Sequence, residues 1–594
     1  MVEAAPPAAP WAAPATGMAG IAGTAASPRR GKPAGAPRML FGIAVTRLRV
    51  PVPLPSPWFW AITALYALLG LAGHDPWKQD DAIGFGIAWS MANGGLLEWL
   101  IPNVAGRMVP EEGPLAFWLA ALLIKLLGGW LYAPDAARLS AGVWTMLSIY
   151  AVYRAARAQF GEADARLAVL ALLACLGLLA RTHETAAEPA LVAACALLLW
   201  ALAAASATQS APAPRDAFRL ALAVGGAIGM AALARGLPAA LVLCAAVAAL
   251  AALDAAWRTP HRLLVLGGAL VFALFFFALW TRMLIAYGGQ DGALFVSHYV
   301  DWCRAQFGVP ALSGMRHTAK TLAWFVFPVW PVALWWLARR PKHFLGDTEP
   351  RRLHLPALAL GAATLASLAW TAAATEAHLL PLLPAAAVFA APACARLTRS
   401  MAAAIDWFGR ITFTAAAALI WLGYCALQLD WPPRIAANFA RLQPGFHGGF
   451  ALIPFLIAAV ATLAWILVCA RSDRTPLRAI THWCYGVLLN WLLLMTLLLP
   501  WVDYGKSYRS VAIGLRGALG ATLVDTTCLE ARAVGLAERA ALHYFLDLPF
   551  GAKCAWILQQ AHPSDPRNAP PGARLVWEGM RPGDRNERFR LYQR

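Results

Sequence analysis

The sequence predicts a polytopic α-helical membrane protein with a small α/β domain at its C-terminal end. The chain of 594 residues is 60% hydrophobic and only 13% charged, whereas soluble domains average about 25% charged residues. Apolar stretches of about 17–25 residues recur along it, and each is long enough to cross a bilayer as a helix. After residue 500 these stretches stop and the composition becomes that of a soluble domain.

The first 56 residues contain no long apolar core. They are rich in Ala, Pro and Gly and carry Arg29, Arg30 and Lys32. This composition predicts a disordered cytoplasmic tail over residues 1–56 and not a cleaved signal peptide. The formal charge of the chain is +18, but its basic residues lie in short connections between apolar stretches. That pattern indicates orientation in a membrane and contact with anionic lipid, and it argues against nucleic acid as a partner.

The membrane region is predicted to cover residues 57–500 and to contain about thirteen spans. They are expected near 57–73, 137–155, 164–180, 187–205, 218–234, 237–253, 262–286, 319–338, 355–371, 377–396, 411–428, 450–470 and 481–500.

One more apolar stretch, "GPLAFWLAALLIKLLGGWL" (113–131), could be a span or an interfacial helix. Treating it as interfacial, with the N-terminus inside, places "RAARAQFGEADAR", "DAAWRTPHR", "ARRPKHFLGDTEPRR" and "ARSDRTPLR" in the cytoplasm, as the positive-inside rule requires. We therefore expect a multi-pass membrane protein whose N-terminus is in the cytoplasm and whose C-terminus is on the outward side.

This topology gathers charged residues on the outward side, at the ends of helices that are distant in sequence. The first outward loop, 74–136, opens with "HDPWKQDDAIGFGIAWSMANGG". The outward residues of interest are Lys78, Asp80, Asp81, Arg107, Glu112, Glu188, Arg235, His298, Arg304, Glu376 and His378. Each alone could be a solvated loop residue, a helix cap or an interfacial anchor. Their concentration on one side indicates a functional site.

Residues 501–594 are predicted to form the small periplasmic α/β domain. "DYGKSYRSVAIGLRGAL" and "AERAALHYFLD" have helical patterns, whereas "ATLVDTTCL", "CAWILQQ", "ARLVWEGM" and "RFRLYQR" have strand patterns. Cys528 and Cys554 are the two cysteines of this segment. An oxidising periplasm would allow them to form a disulfide. The alternative is a buried strand residue and a thiol at a strand edge.

The outward loops resemble those of lipid-dependent glycosyltransferases of the GT-C class, in the family of aminoarabinose transferases and protein mannosyltransferases (glycosyltransferase family 39). "DDAIGFGIAWSMANGGLLEWLIP" is similar to the family's first outward loop, which opens with Asp-Glu. The resemblance implies that Asp80 is the catalytic carboxylate and that Asp81 occupies the position of the neighbouring Glu.

Three further segments carry the resemblance. "PEEGPLAFWLAALLIKLLG" is similar to a Lys-Pro-Pro segment of the family, with Glu112 where the lysine belongs. "HETAAEPAL" places Glu188 at the family's second acidic position, and "ARGLPAALVL" places Arg235 where the family has Lys. "SHYVDWCRAQF" resembles a His followed by an Arg-Phe pair in the family's central outward loop, and His378 precedes a Pro-rich helix start as a basic residue does in relatives.

The resemblance implies a GT-C fold with interfacial helices in the first periplasmic loop. It also implies transfer of a sugar from a polyprenyl-phosphate donor to lipid A, a glycan or a protein, with inversion at the anomeric carbon. Asp80, Asp81 and Glu188 are then the expected catalytic carboxylates, because a carboxylate can orient or deprotonate the acceptor.

The residues expected to bind substrate are Lys78, Arg107, Glu112, Arg235, His298, Arg304 and His378. Among these the cations could stabilise the leaving phosphate without a metal, so no metal or cofactor is expected. A monomer surrounded by membrane lipids is expected. The family's substrate contacts are partly missing, so the sugar and the acceptor could differ from those of relatives.

Two other functional classes fit less well. A transporter or flippase usually places ionisable residues at the middle of its spans, and here those middles lack them almost entirely. A non-catalytic scaffold would explain the C-terminal domain but not the acidic loop. No Walker loop, GxSxG motif or metal-spaced Cys/His cluster indicates another enzyme class.

Overall fold

A computed structural model describes residues 39–40, 43–44, 55–77, 79–208, 213–339, 349–372, 374–520, 528–566 and 569–594 of the chain. Within the first 48 residues, strands β1 (Met39–Leu40) and β2 (Ile43–Ala44) pair as a short antiparallel hairpin. Apart from Pro55 and Ser56, the rest of the predicted N-terminal tail lies outside the described residues, as does Lys78.

The part of the chain from residue 49 onward is mainly helical. Its helices before residue 340 are α1 (Ser56–Leu68), α2 (Asp80–Asn93), α3 (Leu96–Leu100), α4 (Leu115–Leu127), α5 (Ala133–Phe160), α6 (Glu162–Ala174), α7 (Leu176–Arg181), α8 (Glu188–Ser206), α9 (Pro214–Leu253), α10 (Pro260–Gln306), α11 (Leu312–Phe325) and α12 (Val329–Arg339). They are followed by α13 (Glu349–Ser367), α14 (Leu382–Cys394), α15 (Arg399–Leu429), α16 (Pro433–Leu442), α17 (Leu452–Arg471), α18 (Arg478–Leu493), α19 (Leu499–Lys506), α20 (Arg509–Leu519) and α21 (Leu536–Leu546).

Each of the thirteen predicted spans overlies one or more of these helices. Within the described residues, seven helices are long and apolar enough to cross a membrane, and the bent pair α11–α12 would make an eighth. The count of thirteen therefore stays a prediction. Helix α4, in the stretch predicted to be interfacial, has 13 residues and is about 20 Å long. It is thus shorter than the roughly 30 Å that a spanning helix must cover.

Helix α9 is a tight helical hairpin, as the separate spans predicted at 218–234 and 237–253 require. Its turn is at Arg235 and Gly236, where the glycine has a φ of 77°. A Cβ on Gly236 would lie 2.8 Å from the Trp302 ring, so a side chain there would be strained and crowded. Arg262, which follows the end of α9, donates to the carbonyls of Ala205 and Thr208, which precede its start. The two ends of α9 therefore lie on the same side of the molecule.

Helix α10 also turns back on itself. Gly289 has a φ of 53°, and after it the chain packs against the helix that precedes it. Phe295 contacts Trp280, and the Tyr299 ring lies 6.4 Å from that of Phe277. The Tyr299 hydroxyl accepts a hydrogen bond from the backbone N–H of Leu237, at 2.9 Å. The turn of α9 is thereby held against the second arm of α10.

A buried arginine fixes the start of the first predicted outward loop. Arg138 of α5 is fully buried and donates to both carboxylate oxygens of Asp81, at 3.1–3.2 Å. It also donates to the carbonyls of His74 and Asp75, at 3.0 and 2.8 Å. Asp81 in turn accepts from the backbone N–H of Thr185, at 2.9 Å. We call this set of contacts the Arg138 clamp, because it ties α2, α5 and two loops together.

The C-terminal part contains α20, α21 and a four-stranded sheet. Earlier in the chain, a short hairpin consists of β3 (Asn103–Val104) and β4 (Arg107–Met108). The four-stranded sheet has the order β5-β6-β8-β7, and its strands are β5 (Leu529–Arg532), β6 (Trp556–Ala561), β7 (Arg574–Gly579) and β8 (Arg588–Gln593). Only β5 and β6 are parallel. The predicted strand "ATLVDTTCL" falls mostly outside the described residues.

This part packs on the first loop and not on solvent alone. Buried Asp75 accepts from Ser507, from Arg509 and from the Tyr132 hydroxyl, at 2.5–2.8 Å. Helix α2 also lies close to α21, since a Cβ on Gly86 would come within 2.5 Å of Ala540. Cys528 and Cys554 form a disulfide with their Cα atoms 5.7 Å apart.

The Arg138 clamp gives a prediction for stability. Replacing Arg138 with Leu leaves the Asp81 carboxylate buried without its cation, which costs about 3–5 kcal/mol. We expect a loss of this size in the free energy of unfolding, measured by reversible unfolding in mixed detergent micelles. Arg157→Leu is the matched control on the same helix, because its ion pair with Glu162 is exposed and worth at most about 1 kcal/mol. Equal losses in the two variants would contradict a special role for the clamp.

The disulfide gives a second prediction. It closes a loop with a sequence separation of 26 residues, which corresponds to roughly 3–4 kcal/mol by the chain-entropy estimate. The Cys528→Ser, Cys554→Ser double variant should therefore show faster hydrogen exchange and proteolysis across β5 and β6 than the native protein. The Cys244→Ser variant, which removes a free thiol of α9, controls for the loss of a cysteine. Unchanged exchange in β5 and β6 would refute this expectation.

Candidate active site

Five segments that the sequence predicts to face outward meet at one end of the helices. They are the start of α2, the turn before α4, the connection from α7 to α8, the turn of α9 and the short 3-10 helix Glu376–Leu379. Together they contribute the residues that we call the charged cluster, which are Asp80, Glu112, Arg181, Glu184, Glu188, Arg235 and Glu376.

Two glycines allow these segments to approach closely. A Cβ on Gly84 would lie 1.6 Å from the carbonyl oxygen of Thr185, so α2 can rest directly on the connection between α7 and α8. A Cβ on Gly113 would lie 2.0 Å from the carbonyl oxygen of Leu233. The Gly113 N–H donates to the carbonyl of Ala234 at 3.2 Å. This contact sets Glu112 against the turn of α9.

Asp80 belongs to a chain of charged side chains. Its Oδ2 accepts from Arg181 at 2.5 Å, and the same guanidinium donates to Glu376 at 2.7 and 2.9 Å. The Asp80 side chain is 45% exposed. The carboxylate is therefore oriented by Arg181 and remains accessible to a second molecule.

Arg235 forms the other ionic centre of the cluster. It donates to Glu112 at 2.6 Å and lies 3.9 Å from buried Glu188. Burial raises the pKa of Glu112 to about 7; Arg235 opposes this rise and Glu188 adds to it. Glu112 thus changes charge near neutral pH, directly beside the arginine.

A cavity of about 510 Å³ begins at Arg235. Its walls come from the second arm of α9, between Pro238 and Ala249, and from the end of α13 and the residues just after it, between Ala362 and Trp370. We call it the first cavity. Most of its lining is apolar along about 16 Å of helix. Its polar groups are Arg235, Gln306, Ser367, Thr371 and His378. A molecule with an anionic head and an apolar tail would match this distribution.

The structure separates the two adjacent aspartates. Asp81 is only 2% exposed and is held in the Arg138 clamp. Burial opposes its ionisation, but Arg138, His74 and the backbone N–H of Thr185 together outweigh burial, so the pKa of Asp81 lies below its usual range. Asp81 therefore orders the loop, whereas Asp80 faces open space.

The remaining predicted residues fall in different places. His378 lines the first cavity and hydrogen-bonds Thr375. Arg107, on β4, is exposed and lies near Arg539 of α21. His298 and Arg304 are exposed on the second arm of α10, where Arg304 is 78% exposed and pairs with Asp301. The structure thus brings Asp80, Glu112, Glu188, Arg235 and His378 together and leaves Arg107, His298 and Arg304 apart.

Sequence reasoning passed over Arg181 and Glu184, which belong to the charged cluster. Both stand in "RTHETAAEP", the same outward segment as Glu188. An arginine that ends a span on the outward side runs against the positive-inside bias. That exception was the available signal. Within the described part of the chain, no group of three or more His, Cys, Asp or Glu side chains is arranged to hold a metal ion.

Known proteins are similar to this chain both in sequence and in fold. A family model described as dolichyl-phosphate-mannose-protein mannosyltransferase matches residues 111–280. This interval includes Glu112, Arg181, Glu184, Glu188 and Arg235, and it begins after Asp80. No curated protein sequence matches the chain.

Among solved structures, ArnT from Cupriavidus metallidurans bound to undecaprenyl phosphate matches with a TM-score of 0.60 at 16% sequence identity, covering 90% of this chain and 97% of that one. ArnT in the apo state matches with a TM-score of 0.60 at 17% identity and the same coverage. At such identities the likeness concerns the fold. The resemblance of the sequence to the GT-C class is thus confirmed by a family model over residues 111–280 and by a fold shared with ArnT.

Proposed function

We propose that this protein transfers a sugar from a polyprenyl-phosphate donor to an acceptor at the outer face of the membrane, with inversion at the anomeric carbon. The observation that carries the proposal is the first cavity, which joins a long apolar wall to the Arg235 guanidinium. The match to ArnT bound to undecaprenyl phosphate supports this choice of donor. So does the mannosyltransferase family model over residues 111–280.

A polyprenyl phosphate has the two parts that the first cavity accommodates. Its isoprenoid chain would lie along the second arm of α9 and α13, where burial of apolar surface contributes about 25 cal/mol per Å². Its phosphate would reach Arg235 and His378, both of which line the cavity. A transporter would instead place ionisable groups halfway along its spans. In this cavity the ionisable groups Arg235 and His378 stand at one end.

The charged cluster supplies the groups that such a transfer requires. Asp80 would orient the acceptor, because its carboxylate is accessible and fixed by Arg181. Arg235 would stabilise the charge that develops on the leaving phosphate. The acceptor oxygen forms a bond to the anomeric carbon while the bond from that carbon to the phosphate oxygen breaks, and the bonding electrons leave with the phosphate. An acceptor hydroxyl group gives its proton to a carboxylate of the charged cluster.

The acceptor class remains as the resemblance implies, namely lipid A, a glycan or a protein, and the sugar is a hexose or a pentose. The expected location is a bacterial inner membrane, with the charged cluster and residues 501–594 on the periplasmic side. A monomer without metal or cofactor remains the expectation.

Asp80 provides the direct test of the proposal. The protein in lipid nanodiscs should consume a radiolabelled polyprenyl-phosphate sugar and should not consume a nucleotide sugar. Asp80→Asn should lower kcat by roughly a hundredfold or more, the usual scale for loss of a catalytic carboxylate. Asp291→Asn, at an exposed outward position of α10, should keep native turnover. Native turnover in Asp80→Asn, or turnover of a nucleotide sugar without a lipid carrier, would refute the assignment.

The raised pKa of Glu112 leads us to predict that donor binding depends on pH. Below pH 7 its carboxyl group is protonated and Arg235 is free to bind phosphate; above pH 7 the carboxylate competes for the same guanidinium. Glu112→Gln removes this competition. The Kd of the native protein for polyprenyl phosphate, divided by that of Glu112→Gln, should be near one at pH 5.5 and rise to about ten at pH 8.5, a difference of about 1.4 kcal/mol. The ratio cancels titration of the phosphate itself, and a ratio that is constant with pH would contradict the prediction.

A further inference from the structure

A second cavity lies beside Asp81, the neighbour of Asp80 in the chain. It has a volume of about 370 Å³ and lies between the loop 70–81, α7 and the segment that runs from the end of α18 through α19. Leu494, Met495 and Leu499 form its apolar wall, whereas Glu184 and Lys506 are among its polar groups. We call it the second cavity.

Residues next to the ionic chain of Asp80, Arg181 and Glu376 line both cavities. Ala377, next to Glu376, lines the first cavity. Ala180, next to Arg181, lines the second, as does Asp81, which follows Asp80. A donor in the first cavity and an acceptor in the second would therefore meet at Asp80.

Glu184 differs from the other carboxylates of the charged cluster. Asp80 and Glu376 share Arg181, and Glu112 and Glu188 share Arg235. Across the described ranges, no hydrogen-bond donor or cation is within bonding distance of the Glu184 carboxyl group, which lies on the wall of the second cavity. Among the carboxyl groups of the cluster, Glu184 is therefore the one to which no cation of the described residues is bound.

The surroundings of Glu184 raise the pKa of its carboxyl group toward the pH at which the enzyme would work. Burial raises the pKa of Glu184 to about 8; Asp81, Asp80 and Glu188 add to the rise and Arg181 opposes it. The other titratable groups on the cavity wall are His74, Asp81, His183 and Lys506. Burial lowers the pKa of His74. Lys506 is thus the one permanent cation among the residues described on this wall.

We propose that Glu184 is the general base of the transfer and that the second cavity takes an acceptor whose nucleophile is a neutral hydroxyl group. This inference rests on the proposed function. The acceptor O–H gives its proton to the Glu184 carboxylate as its oxygen bonds to the anomeric carbon, and the polyprenyl phosphate leaves with the electrons of the broken C–O bond. Asp80, paired with Arg181, orients the hydroxyl group.

The charge of the second cavity selects this class of acceptor. A phosphate nucleophile is already ionised, so it needs no base. It would also be repelled by Asp80, Asp81 and Glu184, and among the described residues of the wall Lys506 is the cation that opposes this repulsion. A hydroxyl group needs a base and brings no charge, so it fits both features. It could belong to a sugar or to a Ser or Thr side chain.

The experiment compares the native protein with Glu184→Gln, Glu184→Asp and Glu111→Gln in nanodiscs. Glu111 is the matched control, since it lies in the predicted outward loop and does not line the second cavity. Each protein receives labelled polyprenyl-phosphate hexose or pentose with one of four acceptors: an alkyl glycoside, a Ser/Thr peptide, phosphatidic acid or water alone. Turnover is measured from pH 6 to 9.5, and binding of polyprenyl phosphate is measured separately.

In the native protein and Glu111→Gln, we expect kcat with a hydroxyl acceptor to rise about tenfold between pH 7 and 9, as a base of pKa about 8 requires. Glu184→Gln should lower kcat by about 10²–10⁴-fold and abolish this rise, with donor binding changed by less than twofold. Glu184→Asp should restore part of the rate. The glycoside and peptide arms decide which kind of hydroxyl group is used.

Two results would overturn the inference while leaving the proposed function intact. They are transfer to phosphatidic acid alone, and a Glu184→Gln variant that keeps the native rate and pH profile. If the native protein neither binds polyprenyl phosphate nor consumes any labelled donor, even with water, then the proposed function fails and the inference fails with it. Size-exclusion profiles and retained donor binding show that each variant is folded.

Discussion

The burial of one guanidinium group constrains the whole outward half of this molecule. Arg138 is fully buried, and a buried cation is tolerated only when its charge and its N–H groups are satisfied. The chain meets this requirement with the Asp81 carboxylate and the carbonyls of His74 and Asp75. Asp81 then reaches the backbone of Thr185, so the loops that carry Asp80, Arg181 and Glu184 are fixed to one another.

The clamp explains why neighbouring aspartates serve different purposes. Successive residues on a helix point about 100° apart, so when Asp81 faces Arg138, Asp80 must face elsewhere. It pairs with Arg181 and is 45% exposed. One aspartate thus stabilises the site and the next is free to contact a substrate. The C-terminal part adds to the same arrangement through Asp75, which binds Ser507 and Arg509.

The charged cluster contains more carboxylates than arginines, and this imbalance has a chemical consequence. Arg181 and Arg235 are each shared between two carboxylates. Incomplete neutralisation in a poorly solvated place raises carboxyl pKa values, as it does for Glu112 and Glu184. Glu112 is part of this balance, because its carboxylate pairs with Arg235.

The sequence alone determined the helical membrane class, the approximate helix positions, the grouping of the charged loops at one end of the helices and the resemblance to the GT-C class. Hydropathy and short motifs are properties of contiguous residues, so they can be read without the fold. Only the tertiary structure decided that Asp81 is bound to Arg138, that Arg181 joins Asp80 to Glu376, and that Arg107, His298 and Arg304 lie elsewhere. The two cavities are likewise formed by segments far apart in the chain. Side-chain pairing and cavity shape depend on how such segments pack, and no local pattern in the sequence encodes that packing.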